Sequence, residues 1–530
     1  MPSSLFKVFA ISLLLFPILA SAALLDVPNA RTKVDFDWKP ALELVWKGIK
    51  KRNIAAYNTG LVHRPKADGS IGPGDAVSEG QGYGMMMALF AGDQATFNTI
   101  WSATETYMWK GSYMNWRVNP DGSYSGDVGP ATDAEQDVAA MLILADALVK
   151  NGVWQPFSLP GSSVAYAVRA QVMLNSIWSV MVESSGSTFH LRPGSWGGTT
   201  GLNPGYYTPA FYRIFADFDT NSNHKWLVLL DQGYRTMEAN PGAALGLLPD
   251  WCDGAGALLP SGPGYNAYDG GKSMFKDAIR VLWRVGTDAI WFDEPRAKSF
   301  LTKSLTFINS KGGASAANFY KMDGTVVPKT DIWAFNGRTG KELTTRTRYE
   351  HSPLTIGMWA IAAMAVGTPA DQESFSDEMK KFYGNGNDFF GLVSDPSGNN
   401  EDTTHNEMYF DQFLAWWGTA TMAGAYSNII YDLANPPPII IPEATHGSLL
   451  ATRMKSPRIR IAGHAVEFVN GSGQIGTMRI LDSQGRQVAA KQLQGMETWS
   501  WQAGDTHGML IADWQPDAAQ HSARPFVLNP

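Results

Sequence analysis

Three short stretches hold carboxylic acids in settings suited to acid–base chemistry. In the first, Glu79 stands alone in Ser78-Glu79-Gly80-Gln81-Gly82-Tyr83-Gly84-Met85, which leads into the apolar run Met86-Met87-Ala88-Leu89-Phe90. Glycines let a backbone turn tightly and approach a ligand, and Tyr83 offers a flat apolar face with a polar tip. A Glu held partly out of water there has its pKa raised and stays protonated near neutrality, as a general acid must. In the second, Thr132-Asp133-Ala134-Glu135-Gln136-Asp137 opens a strongly helical segment. Thr132 or Asp133 reads as its N-cap, where negative charge is favoured, so Asp133 is expected to stay ionised. In the third, Lys276-Asp277-Ala278-Ile279-Arg280 is followed by Trp283 and Arg284. On a helix Asp277, Arg280 and Arg284 share one face, and Arg280 is expected to lower the pKa of Asp277 and fix its rotamer. One carboxyl suited to protonation and two suited to ionisation meet the needs of glycosidic bond cleavage. Taken singly, each stretch also fits ordinary structure: an exposed Glu at a helix entry, first-turn capping, and a surface ion pair of little energetic worth.

The elements that must position these groups read as helices joined by long Gly/Pro/aromatic loops. Helical spacing predicts elements over 38–51, 84–91, 133–150, 164–182, 208–215, 225–239, 276–284, 295–308, 353–363 and 409–423. Motifs fall at helix starts and in the loops before them, which suits a helical barrel with a loop-built groove. Asp217-Phe218-Asp219-Thr220-Asn221-Ser222 starts like a calcium loop but lacks the later Gly and Glu, so it reads as a helix-to-helix turn. From 435 to 446 the chain reads as a Pro-rich, stiff linker. Beyond it, over 447–530, short alternating runs separated by Gly-rich turns have the character of a small β-sandwich. It is similar to the C-terminal sorting or surface-attachment modules of some secreted bacterial enzymes, which implies such a role, with carbohydrate binding through Trp499, Trp501 or Trp514 as the alternative. Residues 1–22 read as a signal peptide: Lys7, an apolar run too short to span a bilayer, and Ala20-Ser21-Ala22. The 23–434 region is then the catalytic domain of an exported protein.

The chain of 530 residues exceeds one average domain. Its net charge of −7 argues against nucleic acid and anionic membrane surfaces as partners. Cys252 is the only cysteine, so no internal disulfide forms, and it reads as a small buried residue. None of the 9 His falls in an H-x-x-x-H or H-E-x-x-H pattern, and no metal or other cofactor is expected. Aromatics make up 12% of residues, a high share whose surplus over the core is available as flat stacking faces.

Together these motifs resemble glycoside hydrolase family 8. Ser78 to Met85 match that family's acid motif throughout, and Ala131 to Ala134 match the signature around its sugar-distorting aspartate. The chain then departs from the pattern: Glu135 stands where Asp is usual, Val138 where Ile or Met is usual, and Lys276 where a Tyr precedes the base. Further matches are Met114-Asn115-Trp116, Asn203 to Pro209 and Ser352-Pro353, and the resemblance runs from Phe36 to Leu433. It implies a mainly α fold, an (α/α)6 barrel, here followed by the β module. It implies an inverting, secreted endo-β-1,4-glucanase with Glu79 as acid, Asp277 as base and Asp133 contacting the distorted sugar. Trp116, Trp196, Tyr206 and Tyr207 are the expected stacking platforms, with Tyr83, Arg280 and Trp283 also expected at the substrate. Trp196 fits a turn, Gly194-Ser195-Trp196-Gly197, equally well. Xylan, mixed-linkage glucan and chitosan are alternative substrates, and a silent glucan-binding surface protein is the alternative outside enzymes.

Overall fold

The computed structural model describes residues 34–55, 58–65, 73–126, 128–260, 268–327, 351–383, 388–390 and 409–434, together with strand segments between 458 and 528. The expected leader, 1–22, and linker, 435–446, lie outside the described residues. The chain divides into two compact units, 1–436 and 437–530.

The first unit is mainly helical. Its α-helices are α1 (Lys39–Ile49), α2 (Ser78–Phe90), α3 (Gln94–Tyr107), α4 (Thr132–Lys150), α5 (Tyr166–Ser176), α6 (Pro209–Phe218) and α7 (Trp226–Glu238). They continue with α8 (Val281–Phe292), α9 (Pro295–Ser310), α10 (Pro353–Val366), α11 (Pro369–Tyr383), α12 (Tyr409–Met422) and α13 (Ile429–Ala434). The even-numbered helices from α2 to α12 pack in sequence order, and α12 closes back on α2. Each odd-numbered helix from α3 to α11 packs outside the even one before it, while α1 covers α12. Six inner helices ringed by six outer ones is the (α/α)6 arrangement.

Sequence decides which ring a helix joins. In α10 the run from Pro353 to Met364 is apolar or small and buried all round, as an inner helix must be. By contrast α3 buries only Phe97, Ile100, Trp101, Ala103 and Thr104, a one-sided stripe at helical spacing. In α2 every residue is buried except Glu79.

Short antiparallel sheets interrupt the helices. One has the order β1 (His63–Pro65), β2 (Pro73–Val77), β3 (Arg117–Val118). Two hairpin-like pairs are β4 (Val182–Ser185) with β5 (Thr188–Leu191), and β6 (Ser273–Met274) with β7 (Tyr320–Lys321). The second unit contains β8 (Arg458–Ala462), β9 (Ala465–Val469), β10 (Gly476–Asp482), β11 (Gln487–Leu493), β12 (Thr498–Gln502), β13 (Leu510–Pro516) and β14 (Phe526–Leu528). They form antiparallel sheets of order β11-β10-β13-β14 and β12-β9-β8.

The structure differs from the sequence expectations at several points. Helix α2 starts at Ser78 rather than at 84, so its glycines are helical and do not form a loop. Gly82 allows close helix contact: a Cβ there would lie 2.9 Å from Asp137 Cβ on α4. The expected helix over 276–284 begins as a tighter 3-10 turn, Ala278–Arg280, before α8 runs on to Phe292. Helices α3, α11 and α13 were not anticipated. The Asp217–Ser222 segment carries the end of α6 into a turn in which Asp219 accepts from Asn221 N at 2.9 Å and from Trp226 Nε1 at 2.8 Å. No described helix is long and apolar enough to cross a membrane.

Candidate active site

Strand β2 runs directly into α2 and sets the position of Glu79. Val77 pairs with Arg117 of β3, and Ser78 N donates to Trp116 O at 2.9 Å. Strand pairing ends there, and Glu79 falls in the first helical turn. Buried Gln81 braces the junction: its amide donates to Val62 O and Val77 O, and its carbonyl accepts from Val62 N.

The start of α4 is held from outside the helix. Thr132 N donates to Pro193 O at 3.0 Å and Thr132 Oγ1 to Arg192 O at 2.6 Å. One turn in, Gln136 donates to Tyr206 O at 2.9 Å. Asp133 is buried between these ties, and its Oδ1 has no hydrogen bond among the described residues. Asp277 immediately precedes the 3-10 turn that leads into α8.

Arg280 brings the three acids together. Its Nη1 donates to Glu79 Oε2 at 2.7 Å, to Asp133 Oδ2 at 2.9 Å and to Tyr83 OH at 3.2 Å. Its Nη2 donates to Asp277 Oδ1 at 2.8 Å. The guanidinium is buried, with the rings of Tyr206 and Phe410 at 5.1 and 5.6 Å from its carbon. Arginine stays charged in proteins, so one fixed cation orients a general-acid candidate and two further carboxylates.

The expectation for Asp277 is reversed in sign. Burial and the like charge of Asp133 push its pKa above the usual carboxylate range, outweighing Arg280. Glu135, two residues beyond Asp133, is wholly buried and accepts from Met114 N at 2.6 Å. Burial raises its pKa to about 8.

The expected substrate-contacting residues separate into two groups. Tyr83 is buried among Trp283, Phe413 and Trp417, with its hydroxyl toward Arg280 and, at 3.4 Å, Glu79. Trp283 stacks on Trp417 at 4.3 Å and donates to Tyr426 OH. Tyr207 is buried against Gly233. All three rings are buried in this structure, unlike the half-buried and exposed aromatics that follow. Arg280 is likewise a buried hub. Trp116 and Tyr206 are half-buried and border the acids through Ser78 and Arg280. Trp196 is 45% exposed and stacks on Trp251 at 5.8 Å. It stands beside a true turn, since Gly197 has φ +82°, so the two readings of that segment are compatible. Sequence reasoning missed Phe410 and Asn203. Phe410 carries no local signal; Asn203 lies in a quoted motif, and its Oδ1 accepts from Gly205 N at 2.9 Å in the segment packed against Asp277 O. Among the described residues no cluster of His, Cys, Asp and Glu could hold a metal ion.

Comparison with known proteins identifies the family and the fold. The model of the family described as Glycosyl hydrolases family 8 matches residues 40–343. Endoglucanase 2 of Ruminiclostridium josui is 32% identical over 289 residues, 54% of this chain and 58% of that protein. The chain spans 58–59% of the length of this and two other curated endoglucanases. Among solved structures, a beta-1,3-1,4-glucanase from Paenibacillus sp. X4 superposes with TM-score 0.57 at 19% identity, covering 74% of this chain and 95% of that one. Rex8A from Paenibacillus barcinonensis, solved with xylose, gives 0.55 at 19% identity, covering 75% and 97%.

Proposed function

The chain belongs to glycosyl hydrolase family 8, and from that membership we propose that it cleaves internal β-1,4 bonds of glucans with inversion at the anomeric carbon. The observation that carries this reading is Arg280 holding Glu79, Asp133 and Asp277 at once. In the proposed mechanism Glu79 protonates the glycosidic oxygen. Asp277 takes a proton from a water on the opposite face of the sugar, and its raised proton affinity makes it a stronger base than an ordinary carboxylate. Asp133 holds the ring at the cleavage point in a distorted form, and its unpaired Oδ1 supplies an acceptor for a sugar hydroxyl. Half-buried Trp116 and Tyr206 and exposed Trp196 are the stacking faces. The similarity to endoglucanases supports a glucan over a xylan.

The same reading makes 1–22 a cleaved leader, the protein secreted, and 447–530 a β-sandwich that sorts or attaches it. A chain ending at Asn435 would then keep its turnover on soluble oligosaccharide. Proton NMR of fresh product on a panel of soluble glucans, mixed-linkage glucans, xylans and chitosan tests the central proposal. The α anomer should appear first, from β-1,4-glucan. Early β anomer would overturn inversion, and release from xylan alone would overturn the substrate.

A further inference from the structure

Asp277 begins its helix in an unusual way. It occupies the N-cap position of the turn Ala278–Arg280, with a helical backbone (φ −77°, ψ −47°) and no side-chain capping bond. An Asp there ordinarily turns its carboxylate back onto the unpaired N–H groups of the first turn. Here the carboxylate faces Arg280 instead. Two N–H groups of the turn are satisfied by backbone: Ile279 N donates to Phe275 O at 3.0 Å and Arg280 N to Asp277 O at 3.3 Å. The turn's remaining N–H, that of Ala278, and the N–H of Phe275 ahead of Asp277 donate to a single side-chain oxygen, Asp250 Oδ1, at 2.8 and 3.2 Å. Asp250 is buried in the segment between α7 and β6, where its own N–H donates to Ser273 O at 3.0 Å. One carboxyl therefore grips the backbone on both sides of Asp277.

We propose that Asp250 is a positioning residue for the base: it holds the backbone N–H groups on both sides of Asp277 and so keeps the Asp277 carboxylate facing Arg280 and the substrate's water. The proposal rests on Asp277 being the base. Gly205 completes the grip from the other side, because a Cβ there would lie 2.5 Å from Asp277 O. Burial and the neighbouring Asp277 charge push the Asp250 pKa well above the usual carboxylate range. A neutral acid keeps one carbonyl-type acceptor, and Asn reproduces it at the same length.

The test uses the full chain with Asp250→Asn and Asp250→Glu, measuring kcat and KM separately on a soluble β-1,4-gluco-oligosaccharide, with thermal unfolding alongside. The Asn variant keeps the acceptor and should stay within about three-fold of wild-type kcat. The Glu variant keeps the carboxyl group but displaces the acceptor by a methylene. Its kcat should fall about ten- to a hundred-fold with KM little changed, the cost of misplacing a reacting group by about 1 Å. Asp277→Ala is measured in parallel. If that variant stays active, the base assignment falls. If it is inactive while the Glu variant turns over like wild type, or while Asn is as impaired as Glu, the positioning role alone is overturned.

Discussion

Arg280 and Arg284 lie one helical turn apart, are equally buried, and pair with Asp133 and Asp137, themselves one turn apart on α4. They form two successive rungs to α4, Arg280 from the 3-10 turn and Arg284 from α8 that continues it, yet they do different things. The Arg284 rung is sealed: Asp137 has no exposed side-chain surface, and burial holds its pKa above the usual carboxylate range despite the bidentate arginine. The Arg280 rung extends to Glu79 and Asp277, whose side chains remain 20% and 34% exposed. A buried cation whose partners reach solvent can meet a sugar and exchange protons. One whose partner is sealed can only hold helices together, at a desolvation cost. The pairing itself does not distinguish the two; the edge to water does.

The comparison breaks most visibly at Glu79. Glu79→Gln keeps the size of the side chain but cannot donate a proton, so turnover should fall by about two to four decades. Thermal unfolding should hardly move. Retention of a tenth of wild-type turnover would remove Glu79 from the acid role and the Arg280 rung from the chemistry.

Substituting the arginines separates activity from stability. Arg280→Lys retains charge but not the fork, and kcat/KM should drop by about a hundred-fold through misplaced acids. Arg284→Met strands a buried Asp137, which should cost about 3–5 kcal/mol in denaturant unfolding. Adding Asp137→Leu to Arg284→Met should recover most of that loss. If Arg284→Met instead lowered turnover per folded molecule as far as Arg280→Lys, the sealed rung would be part of the catalytic network.

Glu135 sharpens the contrast through pH. Its folded pKa of about 8 lies above the ordinary 4.5 of the unfolded chain. Folding then favours the protonated form, so its contribution is complete below the unfolded value and is lost as pH rises from about 4.5 to about 8. Glu135→Gln removes that titration while keeping an acceptor for Met114 N. The melting temperature of the variant relative to wild type should climb by several degrees between pH 5 and pH 8. A constant difference across that range would mean that Glu135 does not bind its proton in the folded protein. The smallest effect belongs to the exposed Trp196: Trp196→Ala should raise KM a few-fold, with stability changed by no more than about 0.5 kcal/mol, as at other surface sites.

Much of this site was legible in the sequence because its signals are local. Glu79, Asp133 and Asp277 each sit at a helix start, and the Asp277–Arg280 pair lies three residues apart, as its contact requires. What was not legible depended on contacts between distant segments. Nothing near Arg280 indicates that it also reaches Glu79 and Asp133, so Asp277 was expected to titrate low when burial and Asp133 raise it. The burial of Tyr83, Tyr207 and Trp283 is equally invisible locally, since an aromatic ring at a groove and one in a core look alike in a motif. Helix α11 was legible but passed over. Thr368 and Asp371 exchange reciprocal side-chain-to-backbone bonds ahead of it, and Pro369 opens its first turn.

The hub at Arg280 also sets the order of events in time. Arg280 meets Glu79 across 201 residues of sequence and Asp133 across 147. Contacts of such separation form late, after local helices, because loop closure is costly until the intervening chain is in place. Three of the six inner helices must dock before the acids share one cation. Regained helicity on refolding should therefore run ahead of regained activity, and that lag would serve as a clock for closure of the ring.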